Sequence, residues 1–148
     1  MTTVSAPVSG VVVPIEEVDD EVFAGRIVGD GVALRPSDGR VVAPLDGRVE
    51  KVFPGGHGIA IESSEGLQVL VHIGLETVQL EGDGFEAHVV EGDEVTEGDP
   101  RVTVDLARLA ELGVDAVSPV VVMSGESVEV VASGSVDPGD PLLEIGDV

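Results

Sequence analysis

"APVSGVV" at residues 6–12 returns as "APLDGRV" at residues 43–49, and this echo decides how the chain is built. A second echo follows, in which "VTEGDP" at 95–100 comes back as "VDPGDP" at 136–141. Each is a turn device: Pro fixes φ, Gly opens the φ > 0 region, and Asp bonds nearby backbone. Two such pairs, each bordered by apolar residues, predict a strand unit used twice and packed face to face around one core. Two copies are too few for a solenoid.

Val-rich runs broken by 20 Gly and 9 Pro predict many short strands and tight turns. Strands are expected over 9–14, 31–36, 40–44, 47–53, 58–63, 67–73, 101–105, 118–123 and 141–146. The one helical pattern is "DLARLAELG" (105–113): Asp105 caps its start, Leu106, Leu109 and Leu112 line one face, and Gly113 ends it. Residues 81–99 form an acidic stretch with repeated Gly-Asp turns. No linker divides the chain, so residues 1–148 are expected to form one domain. Its class is all-β: a duplicated (hybrid-motif) antiparallel β-sandwich or barrel with at most one or two short helices.

Composition removes several functions. The 29 Asp and Glu against 7 Lys and Arg give a formal charge of -22, which repels nucleic acid and anionic membrane surfaces. An aromatic content of 2% leaves no platform for stacking bases or sugars. With no cysteine, disulfides and thiolate metal sites are out, which fits a cytosolic protein. "MTTVSAPV" lacks the basic and apolar regions of a signal peptide, and no run is long enough to span a bilayer. The acidity itself suits first a salt-adapted or solubilising surface, which is compatible with the steering of a basic protein partner.

Chemistry enters with two histidines. "VLVHIGLETV" (69–78) sets His72 in an apolar strand, and "FPGGHGIAIES" (53–63) places His57 after a Gly-Gly turn. A hairpin turning near Glu65-Gly66 puts the two nearly opposite, with Cβ atoms about 4.5–5.5 Å apart on one face. Such a pair suits three jobs. One imidazole can be a nucleophile for phosphorus while the other donates to the phosphoryl oxygens; the two can be half of a zinc site; or both can be structural.

The chain resembles the glucose-family IIA component of the bacterial phosphoenolpyruvate-dependent sugar phosphotransferase system. "APVSG", "VFAGRIVGDGVALRPSDGRVVAPLDGRVEKVF", "HGIAIESSEG", "VLVHIGLETVQLEGDGF", "EGDEVTEGD" and "SPVVV" follow that family's order and spacing over nearly the whole chain. The block from His72 through Gly74, Glu76, Thr77, Val78, Leu80, Gly82 and Gly84 to Phe85 is highly specific. The resemblance implies a duplicated β-sandwich, which accounts for the echoes. It implies that His72 is phosphorylated by the histidine-containing phosphocarrier protein and passes the group to a IIB domain of a sugar permease. His57 is then the second active-site histidine. Asp20, Val22, Phe23, Ile27, Val28, Leu70, Glu76 and Val78 match a docking face of apolar residues with an acidic rim. The relay is implied to be cytoplasmic and to need no cofactor.

Departures from the family pattern are also legible. Gly55 stands where some members carry a Thr in the hydrogen-bond network of the second histidine, and Leu70 and Ile73 replace Phe of some members. The chain starts almost at its first strand, without the amphipathic tail some members use at membranes. A zinc ion shared between His57, His72 and a partner's carboxylate is a further reading of the pair. A zinc hydrolase of the duplicated-sandwich peptidase type would need a further His-x-x-x-Asp and His-x-His, and neither occurs. A regulatory docking module, switched by phosphorylation, is an additional role on the same surface. His88 in "GFEAHVVEGD" matches no functional position and is expected in solvent among carboxylates. Gly29-Asp30-Gly31 lacks the Lys and helix of a phosphate loop and reads as a turn.

Overall fold

The computed structural model describes residues 2–146 of the 148, and short β-branched runs set its elements. In chain order the strands begin with β1 (Thr2–Ser5), β2 (Gly10–Pro14), β3 (Asp30–Pro36), β4 (Arg40–Val42), β5 (Gly47–Val52), β6 (Gly58–Glu62) and β7 (Gln68–His72). They continue as β8 (Phe85–Ala87), β9 (Glu94–Val95), β10 (Pro100–Val104), β11 (Ser118–Val122), β12 (Ser127–Val130), β13 (Ser135–Val136) and β14 (Pro141–Gly146). Helices are brief: α1 (Glu21–Ala24), α2 (Leu106–Glu111) and 3-10 turns at Ile15–Glu17 and Thr77–Leu80. One sheet runs β13-β2-β3-β11-β7-β6-β5-β9, and two smaller ones run β1-β14-β12 and β4-β10-β8. Every strand pair is antiparallel.

The echoes become a shared set of hydrogen bonds. The Ser5 N–H donates to the Pro44 carbonyl at 2.9 Å, and the Val42 N–H returns the same bond to Pro7 at 2.8 Å. The two Ala-Pro segments therefore bond each other at the centre of the molecule, with Ala6 and Ala43 both fully buried. Each is also tied to a Gly-Asp turn. Ala6 bonds Gly139 and Asp140, just as Ala43 bonds Gly98 and Asp99. Within those turns the carboxylates of Asp99 and Asp140 accept from the backbone N–H three residues earlier, Thr96 and Asp137, each at 2.8 Å. Four stretches of turn sequence thus carry the duplication physically.

The large sheet is covered on both faces, which is why β7 reads as a continuous apolar run rather than a clean alternation. Val69, Val71 and Ile73 join the main core with residues of the two small sheets, such as Val4, Val102 and Ile145. Leu70 points to the other face and packs with Ile15, Val18, Phe23, Ala60 and Leu75. Burying a Leu this way contributes roughly 1.5–3 kcal/mol. His72 shares the Leu70 face, so its surroundings are apolar.

All nine expected strands form, with ends shifted by a residue or two. The short strands β1, β8, β9, β12 and β13 are additional, and two of them lie inside the acidic stretch 81–99. The helix at α2 forms with the Asp105 carboxylate accepting from the Arg108 N–H, and Gly113 follows with φ +73°. Leu109 is buried, but Leu112 is 38% exposed and does not belong to the inward face. Gly29-Asp30-Gly31 is no turn: Asp30 and Gly31 open β3, and a Cβ at Gly29 or Gly31 would run into β11 carbonyls.

Candidate functional site

His72 is the last residue of β7, and the chain behind it is fixed by its own hydrogen bonds. The Thr77 hydroxyl donates to the Ile73 carbonyl at 2.7 Å from a fully packed position, and Gly74 turns the backbone at φ +74°. That turn brings the Gly74 carbonyl to 2.8 Å from His72 Nδ1. A carbonyl only accepts, so the neutral ring carries its proton at Nδ1 and keeps the lone pair at Nε2. The tautomer follows from the turn.

His57 arrives differently from the expected cross-strand pair. The β6–β7 register sets Gly58 against His72 and centres the hairpin on Glu65, because the loop closes with the Ser63 N–H on the Leu67 carbonyl. His57 lies one residue before β6, and its carbonyl accepts from the Ile73 N–H at 2.6 Å. Gly55 and Gly56, at φ +92° and +89°, turn the chain so that the ring swings back over the strand end. The imidazoles still meet, with centroids 5.1 Å apart and planes at 77°. The meeting depends on the glycine turn rather than on strand pairing.

Aromatic rings frame the pair. Phe53 lies 5.5 Å from His57 and 6.0 Å from His72, while Phe23 lies 5.1 Å from His72 and Phe85 6.4 Å from His57. Gly58 makes room for Phe53, since a Cβ there would stand 2.6 Å from its ring. An open groove of about 570 Å³ starts beside His57; its apolar lining is Phe53, Pro54, Ala60, Val78 and Met123, and Glu50, Lys51 and Gln68 supply its polar side.

Burial keeps both imidazoles neutral. It pushes His72 down to about 4; the Gly74 hydrogen bond opposes this, His57 adds to it, and the charge of Asp20 pulls back weakly. His57 is also lowered by burial, against a raising contact with the Pro54 carbonyl. At neutral pH the Nε2 of His72 is thus unprotonated, with its lone pair available.

The residues matched to a docking face divide in two. Val22, Ile27 and Val78 are 42%, 74% and 58% exposed, and Glu76 is exposed beside them. Phe23 and Leu70 are buried and support the surface from beneath instead of forming it. Val28 is half-buried against the same core. Asp20 caps α1, its carboxylate accepting from the Val22 N–H at 2.9 Å, so it has a structural task besides its charge. His88 is remote from the pair; its Nε2 lies 2.6 Å from the Thr103 hydroxyl, with Glu86 the nearest carboxylate at 3.9 Å. Among the described residues no three His, Asp or Glu gather as a metal site, and the pair alone offers fewer donors than zinc takes. Phe53, Gly58 and Lys51 escaped the sequence reading. The one available signal was the density of glycine around His57.

The sequence model of the family described as phosphoenolpyruvate-dependent sugar phosphotransferase system, EIIA 1, matches residues 2–128. A glucose-specific EIIA component of Bacillus cereus is 45% identical over 127 residues, covering 86% of this chain and 77% of that one. A glucose-specific EIICBA component of Staphylococcus carnosus is 45% identical over 142 residues, 95% of this chain; the chain spans only 21% of that protein's length. A glucoside-specific EIICBA component of the same organism is 41% identical and is likewise spanned for 21% of its length. Among solved structures, the glucose permease IIA from Mycoplasma capricolum superposes with a TM-score of 0.90 at 39% identity, over 96% of this chain and 94% of that one. No helix among the described residues is long and apolar enough to cross a membrane.

Proposed function

Since the chain belongs to the EIIA type 1 family of the phosphoenolpyruvate-dependent sugar phosphotransferase system, we propose that it carries a phosphoryl group on His72 Nε2. The observation that carries this reading is the 2.8 Å contact from His72 Nδ1 to the Gly74 carbonyl, which leaves Nε2 as the free nitrogen. The donor is the histidine-containing phosphocarrier protein. In acceptance, a P–N bond forms at Nε2 as the P–N bond to the donor's histidine breaks. The ring gains positive charge when it bonds phosphorus, and the Gly74 carbonyl stabilises that charge through the Nδ1 proton. His57, whose ring centroid lies 5.1 Å from that of His72, turns its one N–H from the Pro54 carbonyl to the phosphoryl oxygens.

In the onward step a cysteine thiolate of a IIB domain attacks phosphorus, the P–N bond breaks, and His72 leaves as neutral imidazole. Relatives that are EIICBA components, with A, B and C parts in one chain, support such a IIB partner. The exposed Val22, Ile27 and Val78 beside Asp20 and Glu76 fit partners that present an apolar face with a basic margin. The relay serves sugar uptake from the cytoplasmic side.

Intact-mass measurement after mixing the protein with phosphoenolpyruvate, enzyme I and the phosphocarrier protein tests this directly. One acid-labile, base-stable phosphoryl group is expected on the wild type and none on His72→Ala. A phosphoryl group retained by His72→Ala, or none on the wild type, refutes it.

A further inference from the structure

Lys51 is the only lysine of a chain with net charge -22, and it lines the same groove as His57. Four of the other cations, Arg26, Arg35, Arg40 and Arg108, are held by carboxylates. Arg101 is buried. Among the described residues only Arg48 and Lys51 are exposed cations with no carboxylate within ion-pair distance. Of these two, Lys51 lines the groove that begins at His57.

Its direction is set by an irregularity in the ladder. Val49 pairs with Ile61, and Lys51 pairs with Ala60, so the register shifts between them. In a regular strand residues 49 and 51 share a face, and Val49 is buried in the main core. The bulge turns Lys51 away from that core and onto the face of Ala60 and Leu70, which is the His72 face. Two strand spacings across and two residues along put its Cα roughly 12 Å from that of His72. The Nζ stands 5.8 Å from the centroid of Phe53, the ring that touches both histidines. An ammonium on a flexible four-carbon stem spans the remaining gap.

We propose that Lys51 is the clamp for the transferred phosphoryl group, its ammonium moving from the Phe53 ring onto the phosphoryl oxygens once the group is on His72. This rests on the phosphoryl-carrier reading above. A dianion approaching a surface crowded with carboxylates meets repulsion, and a mobile unpaired cation at the entrance offsets it where the group must stop. The bulge explains how a strand otherwise committed to the core supplies that cation.

The test compares wild type, Lys51→Gln and Lys51→Arg, all at an exposed position where folding is not at stake. The phosphorylated proteins are purified away from donor and acceptor, then followed by 31P NMR and by the hydrolysis rate of the phosphohistidine. Lys51→Gln is expected to shift the 31P resonance and to slow acceptance about tenfold at low salt, the scale of one partly screened ion contact. Lys51→Arg is expected to restore both. A lysine that serves only in docking would change acceptance yet leave the isolated phosphoprotein's resonance and lifetime untouched, and that result overturns the clamp. If the wild type takes no phosphoryl group, the carrier reading falls and the clamp with it; if wild type and Lys51→Gln are indistinguishable, the clamp alone falls.

Discussion

Gly58 faces His72 across the β6–β7 ladder, and the Phe53 ring occupies the space that any side chain at Gly58 would need. The glycine is therefore part of the site although it carries no functional group. Through Phe53 it sets the wall against which both imidazoles lean.

Gly58→Ala is the first expected consequence. The added methyl meets Phe53 at 2.6 Å and must displace the ring. Overpacking of this kind costs about 1–3 kcal/mol, read by urea unfolding. The imidazole resonances of His57 and His72 should move with the ring. A variant as stable as wild type with unshifted histidines would show that Phe53 has freedom the packing does not suggest.

The pH dependence follows from His72, pushed by burial to about 4 from an ordinary value near 6.5. The unfolded chain then binds its proton more readily than the folded one. Stability from this group is complete above pH 6.5, falls as the pH drops from 6.5 towards 4, and loses about 3 kcal/mol at most. Acceptance of the phosphoryl group should stay level from pH 8 to about 5, because the nucleophile remains neutral throughout. An NMR titration of His72 with a midpoint near 6.5 would contradict this.

Asp20 separates two effects that one substitution would blur. Asp20→Asn keeps a capping oxygen for the Val22 N–H but removes the charge, while Asp20→Ala removes both. The alanine variant should lose about 1 kcal/mol of stability and the asparagine variant much less. Both should depress the His72 titration slightly, since Asp20 raises it. Equal destabilisation by the two would mean that the cap is of no consequence.

Arg101 is fully buried, with Nη2 donating to the Ile59 carbonyl and with Nε and Nη1 unpaired. Lacking any counter-charge, its pKa is lowered by burial to about 9. Arg101→Met keeps most of the volume and removes the uncompensated charge, so it is expected to stabilise the fold by about 1–4 kcal/mol in thermal and urea unfolding. Marked destabilisation would mean that the Ile59 contact outweighs the burial of charge.

The parts of this fold that were legible in sequence are those written as turn chemistry. Ala-Pro and Gly-Asp echoes announce themselves because few residues serve those φ values and side-chain-to-backbone bonds, and they became the reciprocal bonds around Ala6 and Ala43. Short edge strands such as "TTVS" in β1 carry one core apolar residue, and they form only because a partner strand is already in place. The proximity of His57 and His72 was legible, but its register was not. A loop of a few residues can close around either of two centres, and the backbone bond from Ser63 to Leu67 made the choice. The bulge that redirects Lys51 left no pattern in the sequence, since Val-Glu-Lys fits a regular strand equally well.

The pairing of β1 with β14 has a further consequence for how this fold travels between proteins. Thr2 sits across from Ile145, so the first and last described strands run side by side, the start of one beside the end of the other. A unit with adjacent ends behaves like a bead with both holes on one side: it can be strung onto another polypeptide without stretching either. Pulling on those two ends would peel β1 from β14 one rung after another, instead of loading the whole ladder at once. Tension from a tethered neighbour would therefore open this seam first, and the eight-stranded sheet that holds the histidines would be loaded last.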